Sequence, residues 1–455
     1  MKHPLDNAPE PTTGHAYPDD LATLVAARWA QVEAGPTERP AREGERLEMP
    51  LAASALARVL SVCYQVSLLR EEARPITFRL AVGGAEAFAA TSGPPAGLHR
   101  VILTRPRPFD EHELRRLAPA APFHRSIIGA GLEHDEDLRI WGLIHSGPHW
   151  QQSVRGGRGI EQAIPLILMI AVMGPGRLLV SKGARTVAAL SAGTLASDAM
   201  DVFRAPWLSH VFHEIVDAQS RAHAGERALA TVPWERLEGS FGALLAEHAL
   251  RRILSTIRAA RHGGTLLLVP AAEARQILRE PGHLALKYAF RDEEPRRRIL
   301  TLTVRIMDRL ANLHGPSSLG APIGWSDYEV SSDTILAALD EALFEAAHLV
   351  ASLADVDGAV LMTNELELLG FGGEICGALP EVPIVAHALD PEGSRREWVE
   401  TDRFGTRHRS VFRLCQAVRR AIAIVVSQDG GLSFVRWHDG HVTFWTQIAT
   451  GPWEV

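Results

Sequence analysis

A chain of 455 residues is long enough for two or three domains, each with its own core. Its hydrophobic fraction of 46% and charged fraction of 22% are those of ordinary globular protein. A net charge of −7 argues against whole-chain attraction to nucleic acid or to an anionic membrane, so any anion site must be local.

Residues 1–48 are rich in Pro, Gly and Glu and are expected to form a mobile, disordered tail. Their first stretch, MKHPLDNAPEPTTGHAYPDD, lacks the apolar core of a signal peptide. A helix is predicted over Ala53–Glu72, with Leu56, Leu60, Cys63 and Val66 or Leu69 at helical spacing. Short strand-like pieces punctuated by Gly and Pro then recur from about 75 to 195: ITFRLAVG, RVILTR, RIWGLIHSG, LILMIAV, RLLVSKG and TVAALSAG. This block reads as a mostly antiparallel β region with some helix. A more helical connector continues to about 239.

From 240 onward helices and buried strands alternate. Leu245, Ala249, Leu250, Ile253, Leu254 and Ile257 mark one helical face, and HGGTLLLVP follows as a glycine break and an apolar strand. A helix over Thr334–Val350 runs into DVDGAVLMTN, another strand start. A helix after Arg409 ends in the strand AIAIVVS, and LSFVRW, a turn at Asp439-Gly440 and HVTFW read as a closing hairpin. The expected fold class is therefore α/β: a carboxyl-terminal mixed sheet flanked by helices, preceded by a mostly β (α+β) domain. The longest apolar runs, Leu166–Met173 and Ala421–Val426, are too short to span a bilayer, and no membrane association is expected. Cys63, Cys376 and Cys415 form neither C-x-x-C nor a zinc spacing, which fits a reducing, cytoplasmic setting.

Three stretches of the last domain could carry chemistry. In FGTRHRS, Gly405 would let a ligand approach the backbone, Thr406 would cap the following helix, and Arg407, His408 and Arg409 would face an anion at the helix start. In VDGAV, Asp357 at a strand start, with only Gly358 and Ala359 beside it, offers an open carboxylate for a divalent cation or a hydroxyl proton. In VSQDGG, Ser427 could bond a phosphate and Asp429 could join a metal. Taken singly, a solvated helix start, an Asp-Gly turn and a hairpin turn explain each of them better. Elsewhere, HVFHE (His210–Glu214) reads as an amphipathic helix with exposed or capped His, and SVRGGRG (Ser153–Gly159) as a basic surface loop. The Trp residues at 141, 150, 207 and 234 read as packing residues.

The order of these parts resembles the diadenylate cyclase domain, whose members join two ATP molecules into cyclic di-AMP. The likeness runs from about Ala243 to Gln447, and Asp357-Gly358-Ala359 and Gly405-Thr406-Arg407-His408-Arg409 match the family's two signatures. The segments after GTLLLVP and between the two signatures, over Phe371–Phe404, are longer than is usual there. The resemblance implies ATP binding by Gly358, Ala359, Gly405, Thr406, Arg407, His408, Arg409 and Ser427. It implies a catalytic Asp357, and Mg²⁺ or Mn²⁺ held by Asp357 and Asp429. It also implies a face-to-face homodimer, and no nucleic-acid partner is expected. Residues 49–239 would then be a sensor or regulatory domain, resembling weakly the sensor regions found ahead of such domains in bacterial conflict systems. Residues 240–455 would be the nucleotide-handling domain. A protein of the same fold that binds a nucleotide without turning it over is the alternative.

Overall fold

The computed structural model describes residues 15–32, 49–88, 98–123, 125–133, 137–145, 165–183, 185–191, 193–196, 202–260, 262–279, 282–313, 322–428 and 430–446. The chain divides into two compact units, one over 1–148 and 162–198, the other over 149–161 and 199–455. Both are built from helices on mixed sheets, the α/β class expected.

In the first unit a small ladder of β1 (Arg70–Glu71) and β2 (Arg74–Pro75) precedes an eight-stranded sheet. Its strands are β3 (Phe78–Val82), β4 (His99–Pro108), β5 (Ser126–Leu132), β6 (Leu138–His145), β7 (Leu168–Gly174), β8 (Arg177–Lys182), β9 (Arg185–Ser191) and β10 (Thr194–Ala196). Their order is β10-β9-β8-β7-β3-β5-β6-β4. All neighbours are antiparallel except β3 and β5. The helix Ala53–Leu68 lays Leu56, Val59, Leu60, Cys63 and Val66 onto Phe78, Leu80, Ile170 and Val180 of the sheet. It stops four residues short of the predicted end. Arg70 and Glu71 pair with Pro75 and Arg74 across a turn in which Glu72 and Ala73 take left-handed φ values of 48° and 64°.

Two expectations are corrected here. The tail is not structureless where it is described: Pro18–Arg28 is a helix, with Pro at its start and Asp19 and Asp20 in its first turn. Leu21, Val25 and Trp29 are buried in the same core as the Ala53 helix. The boundary expected at 239/240 falls instead near 198/199. Phe203, Trp207, Leu208, Phe212 and Ile215 of the connector are buried in the core of the second unit. The Trp207 ring lies 4.6 Å from that of Trp445, and its Nε1 donates to the Pro391 carbonyl at 2.8 Å.

The second unit carries a nine-stranded sheet of β11 (Gly264–Val269), β12 (Leu284–Ala289), β13 (Ala359–Thr363), β14 (Leu368–Ile375), β15 (Ile384–Ala388), β16 (Arg396–Glu400), β17 (Ile422–Val426), β18 (Leu432–His438) and β19 (His441–Trp445). The order is β12-β14-β13-β11-β17-β18-β19-β15-β16, with β11–β13 and β15–β19 parallel. The three central strands are buried on both faces, which is why they read as unbroken apolar runs. Leu266, Leu268, Val360, Met362, Ile422 and Ile424 point into a core shared with the helices Phe241–Ala260, Arg298–Leu313 and Thr334–Leu353. Leu267, Leu361, Ala423 and Val425 point the other way, onto Val411, Phe412, Leu414 and Cys415 of the helix Thr406–Ala417. The long segment between the two signatures supplies β15 and β16, which extend the sheet at the edge remote from β13. The long segment after β11 supplies β12 and the Arg298–Leu313 helix.

A buried charge ties two of these helices together. Arg252 donates from Nη2 to Asp340 Oδ1 at 2.6 Å, and the Tyr328 hydroxyl donates to the same oxygen at 2.8 Å. Arg252 is 1% exposed and Asp340 8%. Removing the Asp340 carboxylate takes away the charged partner of a guanidinium that is 1% exposed. Asp340→Ala is therefore expected to destabilise the second unit by about 3–5 kcal/mol. Equilibrium denaturation measures this, and a loss below about 1 kcal/mol would show that the guanidinium finds water when its partner is removed.

Candidate functional site

The pairing of the central strands decides where the signature residues go. Gly264 of β11 pairs with Val426 of β17, and Thr265 pairs with Ala359 of β13. Gly263, Gly358 and Ser427 therefore sit side by side at one end of three adjacent strands, although they come from remote parts of the chain.

Each position has a local physical cause. Gly263 takes φ +71°; a Cβ there would stand 2.9 Å from the Val426 carbonyl, 3.0 Å from Arg407 Nη1 and 3.2 Å from the Gln428 amide. The strand end is thus open to Arg407 only because residue 263 has no side chain. Gly358 takes φ +112°, and a Cβ on it would lie 2.7 Å from the Gly372 carbonyl carbon. This glycine lets the turn after Asp357 lie flat on β14, and Asp357 is left exposed. Gly405 differs from both. Its φ of −65° is open to any residue, and a Cβ would meet nothing within 4 Å. Neither the backbone nor packing calls for glycine at 405.

The helix Thr406–Ala417 begins one residue earlier than expected. Gly405, not Thr406, is the N-cap, no side chain caps the helix, and the Gly405 carbonyl accepts from the Arg409 amide at 3.2 Å. Thr406 is the first helical residue, where its hydroxyl cannot play the N-cap part. Thr406, Arg407 and Arg409 are exposed. His408 is half-buried, with its ring 5.7 Å from Phe404 and 6.2 Å from Phe412. Burial pushes the His408 imidazole below its usual pKa, and the Arg407 charge pushes the same way. His408 therefore holds a proton less readily than a free imidazole, and the guanidiniums carry the positive charge of the motif.

The structure brings Asp357, Gly358, Arg407 and Ser427 to one sheet end. Ala359 is the first residue of β13, buried beneath it. Arg409 leaves its helix roughly 200° round from Arg407, at about 100° per residue, and so does not share that direction. Ser427 opens the hairpin between β17 and β18, its amide donating to the Gly431 carbonyl at 2.8 Å and its carbonyl accepting from the Gly430 amide at 3.0 Å. Asp429 lies outside the described residues, as do Ser153–Gly159 and Trp150. Among the described residues no three His, Cys, Asp or Glu side chains converge on a metal position.

One neighbour of Asp357 had no signal in the sequence. Lys287 on β12 pairs with Glu374 on β14 at 2.6 Å. The Lys287 ammonium is held above its usual pKa, first by Glu374 and more weakly by the Asp357 carboxylate. Strand β12 reaches this point by pairing with β14 (Leu286 opposite Gly373), a contact that no local pattern announces. The histidine pair of HVFHE is exposed, His210 stacked on His213 at 5.2 Å, while Glu214 accepts from the Ala271 amide and from Asn364 and Arg420. That stretch is a structural tie at the opposite end of β11 and β13. Trp141 and Trp207 are core residues, and Trp234 is half-buried beside His223.

Compared with known families, residues 46–145 match the model described as "Probable sensor domain DACNV". The match runs from ahead of the Ala53–Leu68 helix to the end of β6. It does not touch the unit that carries Asp357 and Arg407. No curated protein matches the chain. Among the described residues, no helix is long and apolar enough to cross a membrane.

Proposed function

We propose that the second unit binds ATP at the shared end of β11, β13 and β17 and condenses two ATP molecules into cyclic di-AMP, under control of the sensor domain matched at 46–145. The observation that carries this reading is the approach of Arg407 Nη1 to the Gly263 strand end, on which Asp357-Gly358 and Ser427 also converge. A guanidinium, a helix start with free N–H groups and a half-buried serine suit a triphosphate. An exposed carboxylate one strand away suits the ribose 3′-hydroxyl.

Arg407 would grip the triphosphate, with Thr406, His408 and the Gly405 backbone lining the helix start and Arg409 flanking it. Asp357 would orient the 3′-hydroxyl. That oxygen attacks the α-phosphorus of the second ATP, a P–O bond forms, the bond to pyrophosphate breaks, and the hydroxyl proton passes to solvent. A second, reciprocal attack closes the ring. Both ATP molecules cannot react on one protomer, so the reaction calls for two facing copies about a twofold axis. Mg²⁺ or Mn²⁺ would be held by Asp357 together with phosphate oxygens, supplying charge neutralisation. One or two carboxylates plus phosphates are a usual donor set for Mg²⁺, which Asp357 fits. ATP as substrate agrees with a cytoplasmic location.

A second reading is nucleotide sensing without turnover, the same strand end and Arg407 holding the nucleotide. One experiment separates the two. The full chain is incubated with ATP and Mg²⁺ or Mn²⁺, and the products are analysed by mass spectrometry alongside thermal unfolding. Cyclic di-AMP with pyrophosphate is the expected outcome. Nucleotide-dependent stabilisation without product would establish the sensor instead, and neither effect would remove both readings.

A further inference from the structure

The matched sensor domain contains a cavity of about 110 Å³. One wall is a single face of the Ala53–Leu68 helix, contributed by Ala55, Arg58, Val59 and Val62 at positions i, i+3, i+4 and i+7. The facing wall is Phe109 with Leu132 and Leu138, which end β5 and begin β6. Among the described residues the lining is apolar apart from Arg58 and Asp137. Asp137 is committed: Arg139 Nε stands 3.2 Å from its Oδ2. Arg58 is exposed at the rim and makes no hydrogen bond or ion pair among the described residues. Leu132, 47% exposed, is a large apolar side chain that the fold leaves partly uncovered on the same cavity.

We propose that this cavity is the ligand site of the sensor domain and that it takes a small aliphatic carboxylate, its apolar body between the helix and the β5–β6 end and its carboxylate on Arg58. Size and charge select this class. An apolar cavity of about 150 Å³ holds benzene, so roughly 110 Å³ admits a body of about four or five carbons. Among the described lining residues the one charge without an ion-pair partner is positive, planar and suited to a carboxylate. A cationic head would meet Arg58 with like charge, and Asp137 already faces the Arg139 guanidinium. The site lies wholly within the first unit and does not depend on the cyclase reading.

The test is calorimetric titration of the full chain with 4-methylpentanoate, 4-methylpentylammonium and 4-methylpentanol. The carboxylate is expected to bind at least tenfold more tightly than the alcohol, and the ammonium not to bind. Arg58→Gln is expected to lower carboxylate affinity roughly tenfold or more, the scale of a charge-assisted contact. Because Arg58 is exposed, its unliganded melting temperature should stay at the wild-type value. Val62→Phe, which fills the cavity from the helix side, should abolish binding of carboxylate and alcohol alike. The proposal is overturned if 4-methylpentanoate shows no binding, if the ammonium binds as well as the carboxylate, or if Arg58→Gln leaves the affinity unchanged. Should Val62→Phe fail to fold, the comparison of the three probes on wild type and Arg58→Gln decides alone.

Discussion

Arg407→Ala is expected to weaken ATP binding roughly 10- to 150-fold, equivalent to the 1.5–3 kcal/mol of a charge-assisted contact. The side chain is exposed and only its tip reaches the Gly263 strand end, so its loss removes a ligand contact without opening a core. Asp357→Asn is expected to do the opposite: to bind ATP close to wild-type strength and to yield no cyclic product. It keeps the size of the side chain and removes the charge that would orient the hydroxyl and hold a divalent ion. Titration calorimetry on both variants, with product analysis, checks the pair. Equal affinities for wild type and Arg407→Ala would remove the phosphate grip from the mechanism.

Cutting the chain at 240 is expected to leave the second unit unfolded or molten, whereas a fragment starting at 199 should fold. Phe203, Trp207, Leu208, Phe212 and Ile215 are all buried in its core. At roughly 1.5–3 kcal/mol for each large apolar side chain, their removal forfeits about 8–15 kcal/mol of burial. That equals the whole stability of a typical domain, about 5–15 kcal/mol. The ring of Trp207 also covers Trp445 and Phe434, which would otherwise meet water. Near-ultraviolet circular dichroism of the two fragments separates the outcomes. A cooperative unfolding transition in the 240–455 fragment would show that the Trp207 segment is dispensable.

What the sequence disclosed and what it hid follow the same line. Strands buried on both faces are unbroken apolar runs, so β11, β13 and β17 could be read directly from GTLLLV, AVLMT and IAIVV. The turn at Gly358 could be read because only glycine fits its left-handed backbone pressed against β14. The helix Pro18–Arg28 was obscured by averaging composition over 48 residues. Its own start signal, Pro18-Asp19-Asp20 ahead of Leu21 and Val25, was present. The capping of the Thr406 helix was misplaced by one residue because Gly and Thr are both acceptable N-caps and only the backbone angles decide. The ownership of Trp207 was not legible at all: an amphipathic connector shows that it has a buried face, not which core receives it. Strand neighbours were hidden for the same reason, and with them the place of Lys287 near Asp357.

The parallel pairing of β11 with β13 and the antiparallel pairing of β11 with β17 also set the order in which the site can come into being. During synthesis the ribosome delivers Gly263 before Asp357, and Arg407 and Ser427 after both. Until β17 is made and slots against β11, the strand end to which Arg407 reaches does not exist. An incomplete chain can carry the Asp357 carboxylate without the paired strand end that Arg407 reaches. Closing such remote pairings is slow compared with forming the flanking helices. Completion of the sheet end that carries Asp357, Arg407 and Ser427 is thereby tied to the last stage of folding.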